Sequence, residues 1–175
     1  MPVNDLVMRI GGESGEGIVT IGEIFVRIAA FSGLEVYTFR TFPAEIMGGH
    51  VIFQARIADH PVLSQGDDID VLVALNQEGY DNHIAEVKSG GVVIYDSNSA
   101  TPRQDDVEHV LCPIPVSDLA RSIGFMRGTN LVMIGALVKL MNLPLERAEQ
   151  MVQRRLGRFK DLLPKNLEAL RLGHT

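Results

Sequence analysis

Short runs of β-branched and other apolar residues alternate along the chain with segments whose apolar residues recur every three or four positions. The short runs are typical of strands, and the longer periodic segments are typical of helices. Strands are predicted at residues 3–10, 35–40, 51–58, 70–75, 92–96 and 105–116. Because the two kinds of element alternate, the pattern predicts an α/β domain with a mainly parallel sheet. The first two strands and the helix between them predict a βαβ unit.

Helices are predicted at residues 18–31, 78–87, 129–141, 144–156 and 165–172. In the first of these, Ile18, Ile21 and Phe25 lie on one face, which indicates that the helix packs on the sheet. Residues 129–141 are apolar nearly all round, so this helix is expected to be buried. No repeat or linker interrupts the chain, and we therefore predict a single domain over residues 1–175. The predicted fold is a Rossmann-like three-layer α/β domain with a helical C-terminal part.

Composition and charge limit the classes of function. Hydrophobic residues make up 46% of the 175 residues and charged residues 22%, as in an ordinary globular protein. The net charge of −6 argues against a nucleic-acid partner and against anionic membrane surfaces. The longest apolar stretch, residues 131–143, contains Lys139 and is too short to cross a membrane. The N-terminus lacks the pattern of a signal peptide, so a cytoplasmic protein is expected.

Cysteine and histidine usage limits the metal centres that the chain can form alone. The single cysteine, Cys112, excludes an intramolecular disulfide and a cysteine-ligated iron–sulfur cluster within the chain. Cys112 lies in an apolar stretch, which predicts a buried and unreactive thiol. The five histidines lack the spacing of metal ligands, so no metal site is predicted. No nucleophile, base and orienting acid can be assembled from the sequence, and no catalytic residue is predicted.

A glycine-rich run at residues 11–17, Gly-Gly-Glu-Ser-Gly-Glu-Gly, follows the first predicted strand and precedes the first predicted helix. Its glycines permit a sharp turn that exposes backbone amides at a helix N-terminus, where an anionic group of a ligand binds favourably. The run lacks the Lys-Ser/Thr pair of the P-loop and the G-x-G-x-x-G spacing of the dinucleotide motif. The candidate cofactor-binding residues in this run are Gly12, Glu13, Ser14, Gly15, Glu16 and Gly17.

The two glutamates of this run leave its role open. Glu13 and Glu16 weigh against direct contact with phosphate, because carboxylates repel an anion. They favour instead the capping of the helix dipole or pairing with basic residues of a partner. A strand-to-helix turn that binds no ligand is the remaining interpretation.

Two further segments follow predicted strands. Residues 41–50 are polar and glycine-rich, and Asn76 comes directly after the buried run 70–75. Ligands of doubly wound sheets bind at the carboxyl ends of strands, so both segments are expected to cluster with the glycine-rich run. The mixture of apolar and acidic residues in 41–50 favours a protein interface or the rim of an active site over a plain connecting loop. The further candidates are Pro43, Glu45, Gly48, Gly49 and Asn76.

Several short motifs occur in a fixed order along the chain. They are residues 12–18 (GESGEGI), 43–46 (PAEI) with Gly48 and Gly49, 53–59 (FQARIAD), 70–76 (DVLVALN), 90–94 (GGVVI), Asn130 ahead of an apolar helix, and 166–170 (NLEAL). Together they resemble the gamma domain of 2-oxoacid:ferredoxin oxidoreductases over nearly the whole chain. The glycine-rich run is most similar to the gamma domain fused ahead of an alpha domain in 2-oxoglutarate-type enzymes.

The resemblance implies an assembly that oxidatively decarboxylates a 2-oxoacid, such as 2-oxoglutarate or pyruvate, to an acyl-CoA and reduces ferredoxin. In such an assembly thiamine diphosphate with magnesium performs the carbon chemistry, and iron–sulfur clusters carry the electrons. This chain lacks a Gly-Asp-Gly diphosphate–magnesium motif and a cysteine cluster, so it is expected to bind none of these cofactors alone and to be inactive alone. The implied role is assembly with the alpha and beta components, with residues 12–17 and 41–49 facing coenzyme A or those partners.

Two alternatives come from other classes of protein. One is a stand-alone module that binds CoA or a nucleotide through the same glycine-rich run and has no enzymatic activity. The other is an assembly domain whose pocket is vestigial. An enzyme component is expected to expose an apolar patch of partner size and to gain stability on association, whereas a binding module is expected to be a monomer stabilised by its ligand.

Overall fold

The computed structural model describes residues 4–42, 49–103 and 107–175. Within these residues six strands form one sheet in the order β2-β3-β1-β4-β5-β6. The strands are β1 (Asp5–Glu13), β2 (Glu35–Thr41), β3 (His50–Ala58), β4 (Ile69–Ala74), β5 (Val87–Asp96) and β6 (Val110–Ile114). The helices are α1 (Ile18–Phe31), α2 (Gln77–His83), α3 (Val116–Ser122), α4 (Thr129–Leu140), α5 (Leu145–Leu156) and α6 (Leu163–His174).

The sheet is mainly parallel and carries one reversed strand. β1, β4, β5 and β6 pair in parallel, whereas β3 is antiparallel to both of its neighbours, β1 and β2. The predicted βαβ unit is therefore present, but β3 is inserted between its two parallel strands. This reversal places the start of β3 at the edge of the sheet where β1 and β2 end.

Helices cover both faces of the sheet, so the predicted three-layer α/β architecture is confirmed. On one face the buried residues of α1 and α4 join those of α5, α6 and the sheet in a large apolar cluster, centred on side chains such as Phe25, Phe53 and Met133. On the other face α2 contributes Tyr80 to a smaller cluster over β4 and β5. α4 is buried along most of its length, as its apolar sequence predicts.

The predicted element boundaries are wrong at two places that bear on the site. β1 continues to Glu13 instead of ending at residue 10, so Gly11 and Gly12 belong to the strand and only the residues after Glu13 turn the chain. The last strand is Val110–Ile114, and Val116 already belongs to α3, a helix that the sequence does not predict. Pro113 is tolerated inside β6 because this strand lies at the edge of the sheet.

The α4–α6 crossing depends on two glycines. A Cβ atom on Gly135 would meet the carbonyl oxygen of Leu170, and a Cβ atom on Gly173 would meet the carbonyl oxygen of Val132. The two backbones therefore approach more closely than any side chain on these positions permits. Within the described residues, no helix combines the length and the apolar character that a membrane span requires.

Candidate functional site

The turn between β1 and α1 lies at the carboxyl edge of the sheet. The amide of Ser14 donates a hydrogen bond to the carbonyl of Gly49 (3.0 Å), and the amide of Glu16 donates to the carbonyl of Glu13 (3.2 Å). Gly17 has φ +89° and precedes the first residue of α1, a left-handed conformation that favours glycine. The turn is thereby joined directly to the residue that precedes β3.

The carboxylate of Glu16 is turned towards the loop that follows β4. Its Oε2 atom accepts hydrogen bonds from the amide of Glu13 (2.6 Å) and from the side-chain amide of Asn76 (2.9 Å). Asn76 also accepts a hydrogen bond from the amide of Gly79 (2.8 Å) and so caps α2. Glu16 therefore ties the turn to the start of α2, and no described side chain caps α1 by a hydrogen bond.

Gly11 and Gly79 allow α2 to lie close against β1. A Cβ atom on Gly79 would meet the carbonyl oxygen of Gly11, and a Cβ atom on Gly11 would lie 2.7 Å from the ring of His83. The same carbonyl of Gly11 accepts a hydrogen bond from the amide of Leu75 (3.1 Å). This close approach holds the capped end of α2 beside the turn.

Two cavities flank the turn. The first has a volume of about 260 Å³ and opens at the N-terminal end of α1; its lining residues are Ser14, Gly15, Gly17, Ile18, Val19, Thr20, Phe42 and Val51. Among the described residues that line this cavity, none carries a carboxylate. The second cavity, of about 180 Å³, lies between the turn, the end of β5 and the starts of α3 and α4. Its lining residues include two carboxylates, Glu16 and Asp96, and also Asn130.

Asp96 is a site residue that the sequence reasoning missed. It is buried at the end of β5, and its Oδ1 atom accepts hydrogen bonds from the amides of Asn98 (3.0 Å) and Val116 (3.3 Å). These bonds fix the start of α3 against the sheet and offset the cost of burying the charge. The position of Asp96 at the carboxyl end of a predicted strand is the signal that identifies it, because ligands of such sheets bind at the carboxyl ends of strands.

Asn130 lies at the start of α4 and packs against the turn. A Cβ atom on Gly17 would collide with its side-chain amide, so Gly17 leaves the space that Asn130 fills. The structure thus brings together eight of the predicted site residues, with Asn130 beside them: Gly12, Glu13, Ser14, Gly15, Glu16, Gly17, Gly49 and Asn76. Three other predicted site residues, Pro43, Glu45 and Gly48, lie outside the described residues.

Two further kinds of chemistry were considered from the sequence: a reactive cysteine and a metal site. Cys112 is half-buried on β6, and burial raises the pKa of its thiol above its usual value. Among the described residues, no group of three or more His, Cys, Asp or Glu side chains is arranged to hold a metal ion. The turn and its two cavities lie at the carboxyl ends of the strands, which is where ligands bind in doubly wound α/β sheets.

The comparisons with known proteins give the family of this domain. Residues 7–175 match the family model described as pyruvate ferredoxin/flavodoxin oxidoreductase, and the chain belongs to that family. The chain is 31% identical over 140 residues to the 2-oxoglutarate synthase subunit KorC of Methanocaldococcus jannaschii, an alignment that covers 78% of this chain and 75% of that protein. It is 28% identical over 200 residues to the 2-oxoglutarate oxidoreductase subunit KorA of Mycobacterium tuberculosis.

Two solved structures extend the comparison to the fold. The 2-oxoglutarate:ferredoxin oxidoreductase from Magnetococcus marinus, solved with 2-oxoglutarate, coenzyme A and succinyl-CoA bound, matches 98% of this chain with a TM-score of 0.90 and 36% identity. The gamma subunit of a keto/oxoacid ferredoxin oxidoreductase from Geobacter sulfurreducens matches 98% of this chain and 95% of its own length, with a TM-score of 0.82 and 25% identity. The expected gamma-type domain is confirmed. The chain spans only 31% of the M. tuberculosis protein and 30% of the M. marinus chain.

Proposed function

We propose that this chain is the gamma component of a 2-oxoacid:ferredoxin oxidoreductase, which converts a 2-oxoacid to an acyl-CoA with reduction of ferredoxin. In this proposal the chain supplies an assembly surface and a face towards coenzyme A, and it is not catalytic alone. The observation that carries the proposal is the match of 98% of the chain to the M. marinus enzyme at a TM-score of 0.90. The match to the G. sulfurreducens gamma subunit, over nearly its full length, supports the same assignment.

The cavity at the N-terminal end of α1 is the proposed face towards CoA. Backbone amides at a helix N-terminus favour an anionic group, and the phosphates of CoA are such groups. The carboxylate of Glu16, which weighs against an anion in the sequence alone, is held on the other side of the turn by Glu13 and Asn76. Phe42 lines the same cavity and is exposed, which makes its ring available for stacking with a base.

The other cofactors are assigned to the partner components. A thiamine diphosphate site needs a magnesium-binding motif, and a cysteine-ligated cluster needs several cysteines, whereas this chain has Cys112 alone. We therefore place thiamine diphosphate, magnesium and the iron–sulfur clusters in alpha and beta components, with ferredoxin reached through the complex. The carbon chemistry would take place on those components, and this chain's residues would contribute position and shape at the CoA entrance.

2-Oxoglutarate is the first substrate to assay. The relatives from M. jannaschii and M. tuberculosis and the structure from M. marinus are all named for 2-oxoglutarate. A ketoisovalerate oxidoreductase subunit VorA from Methanothermobacter thermautotrophicus is also 31% identical over 134 residues, so branched 2-oxoacids belong in the same assay.

The test is anaerobic purification of the protein from its native host, followed by native mass, thiamine and iron analysis, and CoA-dependent 2-oxoacid oxidation. A complex several times 19.2 kDa that contains thiamine diphosphate and iron would support the proposal. A 19.2 kDa monomer without either cofactor would contradict it and favour the stand-alone CoA- or nucleotide-binding module. In the intact complex, CoA is expected to slow hydrogen exchange of the amides of residues 12–17. Unchanged exchange there would remove the CoA-facing role and leave assembly alone.

A further inference from the structure

Two histidine rings meet on the face of the sheet that carries α2. The Nε2 atoms of His50, at the start of β3, and His83, at the end of α2, lie 2.7 Å apart. His83 is buried, with 4% of its surface exposed. The Nδ1 atom of His50 is buried and has no hydrogen-bond partner among the described residues. Such a pair is a titratable unit that the proposed function does not use.

The short Nε2–Nε2 distance restricts the protons that the two rings can hold. One ring must donate and the other must accept, because two facing N–H groups would repel each other at 2.7 Å. With both rings neutral, or with one charged, this rule is satisfied. With both rings charged it is violated, and the contact between β3 and α2 loses its hydrogen bond. The pair thus takes up a second positive charge only by separating.

Charged groups from every packed element surround the pair. Arg9 of β1 approaches His83 Nδ1 (3.1 Å), and the carboxylate of Glu86 lies within 3.1 Å of the same atom. On α2, Glu78 Oε1 lies 3.9 Å from His50 Nδ1. On β1, Glu13 is the cross-strand neighbour of His50. The carboxylates favour one charge on the pair, whereas burial and Arg9 oppose a charge on His83.

The pair also lies directly beneath the glycine-rich turn. The ring of His83 packs against Gly11, so that a Cβ atom there would lie 2.7 Å from it. His50 follows Gly49, whose carbonyl accepts the hydrogen bond from the amide of Ser14. Separation of the two rings would therefore act on β1 at Gly11, two residues before that strand ends, and on His50, the first residue of β3, next to Gly49.

We propose that His50 and His83 form a proton-operated latch that fixes the start of β3 and the end of α2 beneath the glycine-rich turn. The latch is closed while the two rings share at most one positive charge, and it opens when both are protonated. The net effect of the surroundings is a lowered pKa of His83: burial is the largest cause, Arg9 and His50 lower the pKa further, and the Glu86 carboxylate opposes them, which is consistent with a ring that stays neutral in the closed state. The latch does not depend on what the turn binds.

The test combines imidazole nitrogen NMR with hydrogen exchange on the 175-residue chain between pH 7.5 and 5.0. In the unmodified chain, the His83 ring is expected to stay neutral while its Nε2 atom is hydrogen-bonded to His50, and to gain a proton only when that contact opens. After correction for intrinsic exchange rates, the amide of Ser14 is expected to lose protection by about fivefold or more towards pH 5.0, in step with His83. A His83 ring that gains its proton with no change in the protection of Ser14 would overturn the proposal.

Two variants separate the latch from a general effect of acid. In His50→Gln the side chain keeps a polar group opposite His83 but cannot be charged, so the protection of Ser14 is expected to change less than about twofold over the same range. His60→Gln serves as the matched control, because His60 lies on the surface and pairs with Asp59, away from the latch. It should retain the loss of protection seen in the unmodified chain. A loss of protection that persists in His50→Gln would contradict the latch even though the variant folds.

Discussion

The carboxylate of Glu16 and the side-chain amide of Asn76 are joined by a 2.9 Å hydrogen bond, although 60 positions separate them in the sequence. Through this bond the turn after β1 and the turn after β4 become one structural unit. Asn76 simultaneously caps α2 by accepting a hydrogen bond from Gly79. A disturbance of the glycine-rich turn is therefore expected to reach α2, and the reverse also holds.

Glu16→Ala tests this connection. The substitution leaves the amides of Glu13 and Asn76 without their acceptor, and a loss of about 1–2 kcal/mol in the free energy of unfolding is expected, measured by urea denaturation. Glu13→Ala is the matched control, because Glu13 is exposed and its backbone amide remains able to donate to Glu16. The control is expected to change stability by less than about 0.5 kcal/mol. Equal losses in both variants would show that the Glu16 carboxylate has no special role.

Gly17→Ala tests the contact between the turn and α4. Alanine at φ +89° costs about 1–2 kcal/mol in backbone strain, and its Cβ atom also collides with the side-chain amide of Asn130. Gly15 has a similar backbone conformation, with φ +102°, but a Cβ atom added there in Gly15→Ala would meet no described atom within 4 Å. We expect Gly17→Ala to lose at least about 1 kcal/mol more than Gly15→Ala in urea denaturation. Adding Asn130→Ala should recover the difference, and a failure to recover it would assign the whole loss to the backbone.

Gly173→Ala tests the crossing of α4 and α6 through the sign of the change in the free energy of unfolding. Helix propensity alone favours alanine over glycine by about 1 kcal/mol, so an unhindered site would be stabilised. At Gly173 the added Cβ atom meets the carbonyl oxygen of Val132, and a net loss of about 2–3 kcal/mol is expected instead. Thermal or urea unfolding measures the change. A stabilised variant would mean that the two helices are not in close backbone contact.

Acid is expected to weaken the fold through Glu86. The hydrogen bond from Arg9 is the largest effect that holds the pKa of Glu86 below its usual value of 4.5, and the ion pair between them measures 2.6 Å. A carboxyl group with a lowered pKa stabilises the folded state above its unfolded pKa, and this stability is lost as the pH falls through the folded value. The stability of the chain should therefore decline below about pH 4.5, with about 1 kcal/mol due to this pair after screening by solvent, since the Glu86 side chain is about half-exposed.

Glu86→Gln isolates this contribution. The variant is expected to be less stable than the unmodified chain at pH 7 and to approach it as the pH falls towards 3, in urea denaturation at each pH. Glu168→Gln is the control, because Glu168 pairs with Lys165 on the surface at 3.2 Å and is not buried by the sheet. A constant difference between Glu86→Gln and the unmodified chain at all pH values would contradict the expected linkage.

The sequence pattern predicts the elements well and their junctions poorly. α1 is predicted at its observed bounds, because a 3.6-residue apolar period and a following Gly33 mark it clearly. The extension of β1 through Gly11 and Gly12 is not predictable from propensity, since glycine is unfavourable in strands. It occurs because α2 and His83 lie so close to β1 that only glycine fits. α3 was missed for a similar reason: its first turn is held by Asp96 and Asn98, which are distant in sequence.

The candidate site was predictable as a location and not as an arrangement. The rule that ligands meet the carboxyl ends of strands correctly joins the glycine-rich turn to Gly49 and Asn76. The Glu16 side chain places its carboxylate in one of the two cavities, and its direction follows from a hydrogen bond to the turn after the neighbouring strand β4. The pairing of His50 with His83 likewise depends on the reversal of β3, which hydropathy alone does not encode.

The reversal of β3 also has an evolutionary consequence. β2 ends and β3 begins at the same edge of the sheet, and the two strands are antiparallel neighbours, so the sheet allows them to be joined as a hairpin. Hairpin connections accept insertions and deletions at small entropic cost, and the register of the strands is unaffected. Relatives with this topology are therefore free to change the length of the segment between β2 and β3 one residue at a time while inheriting the same core.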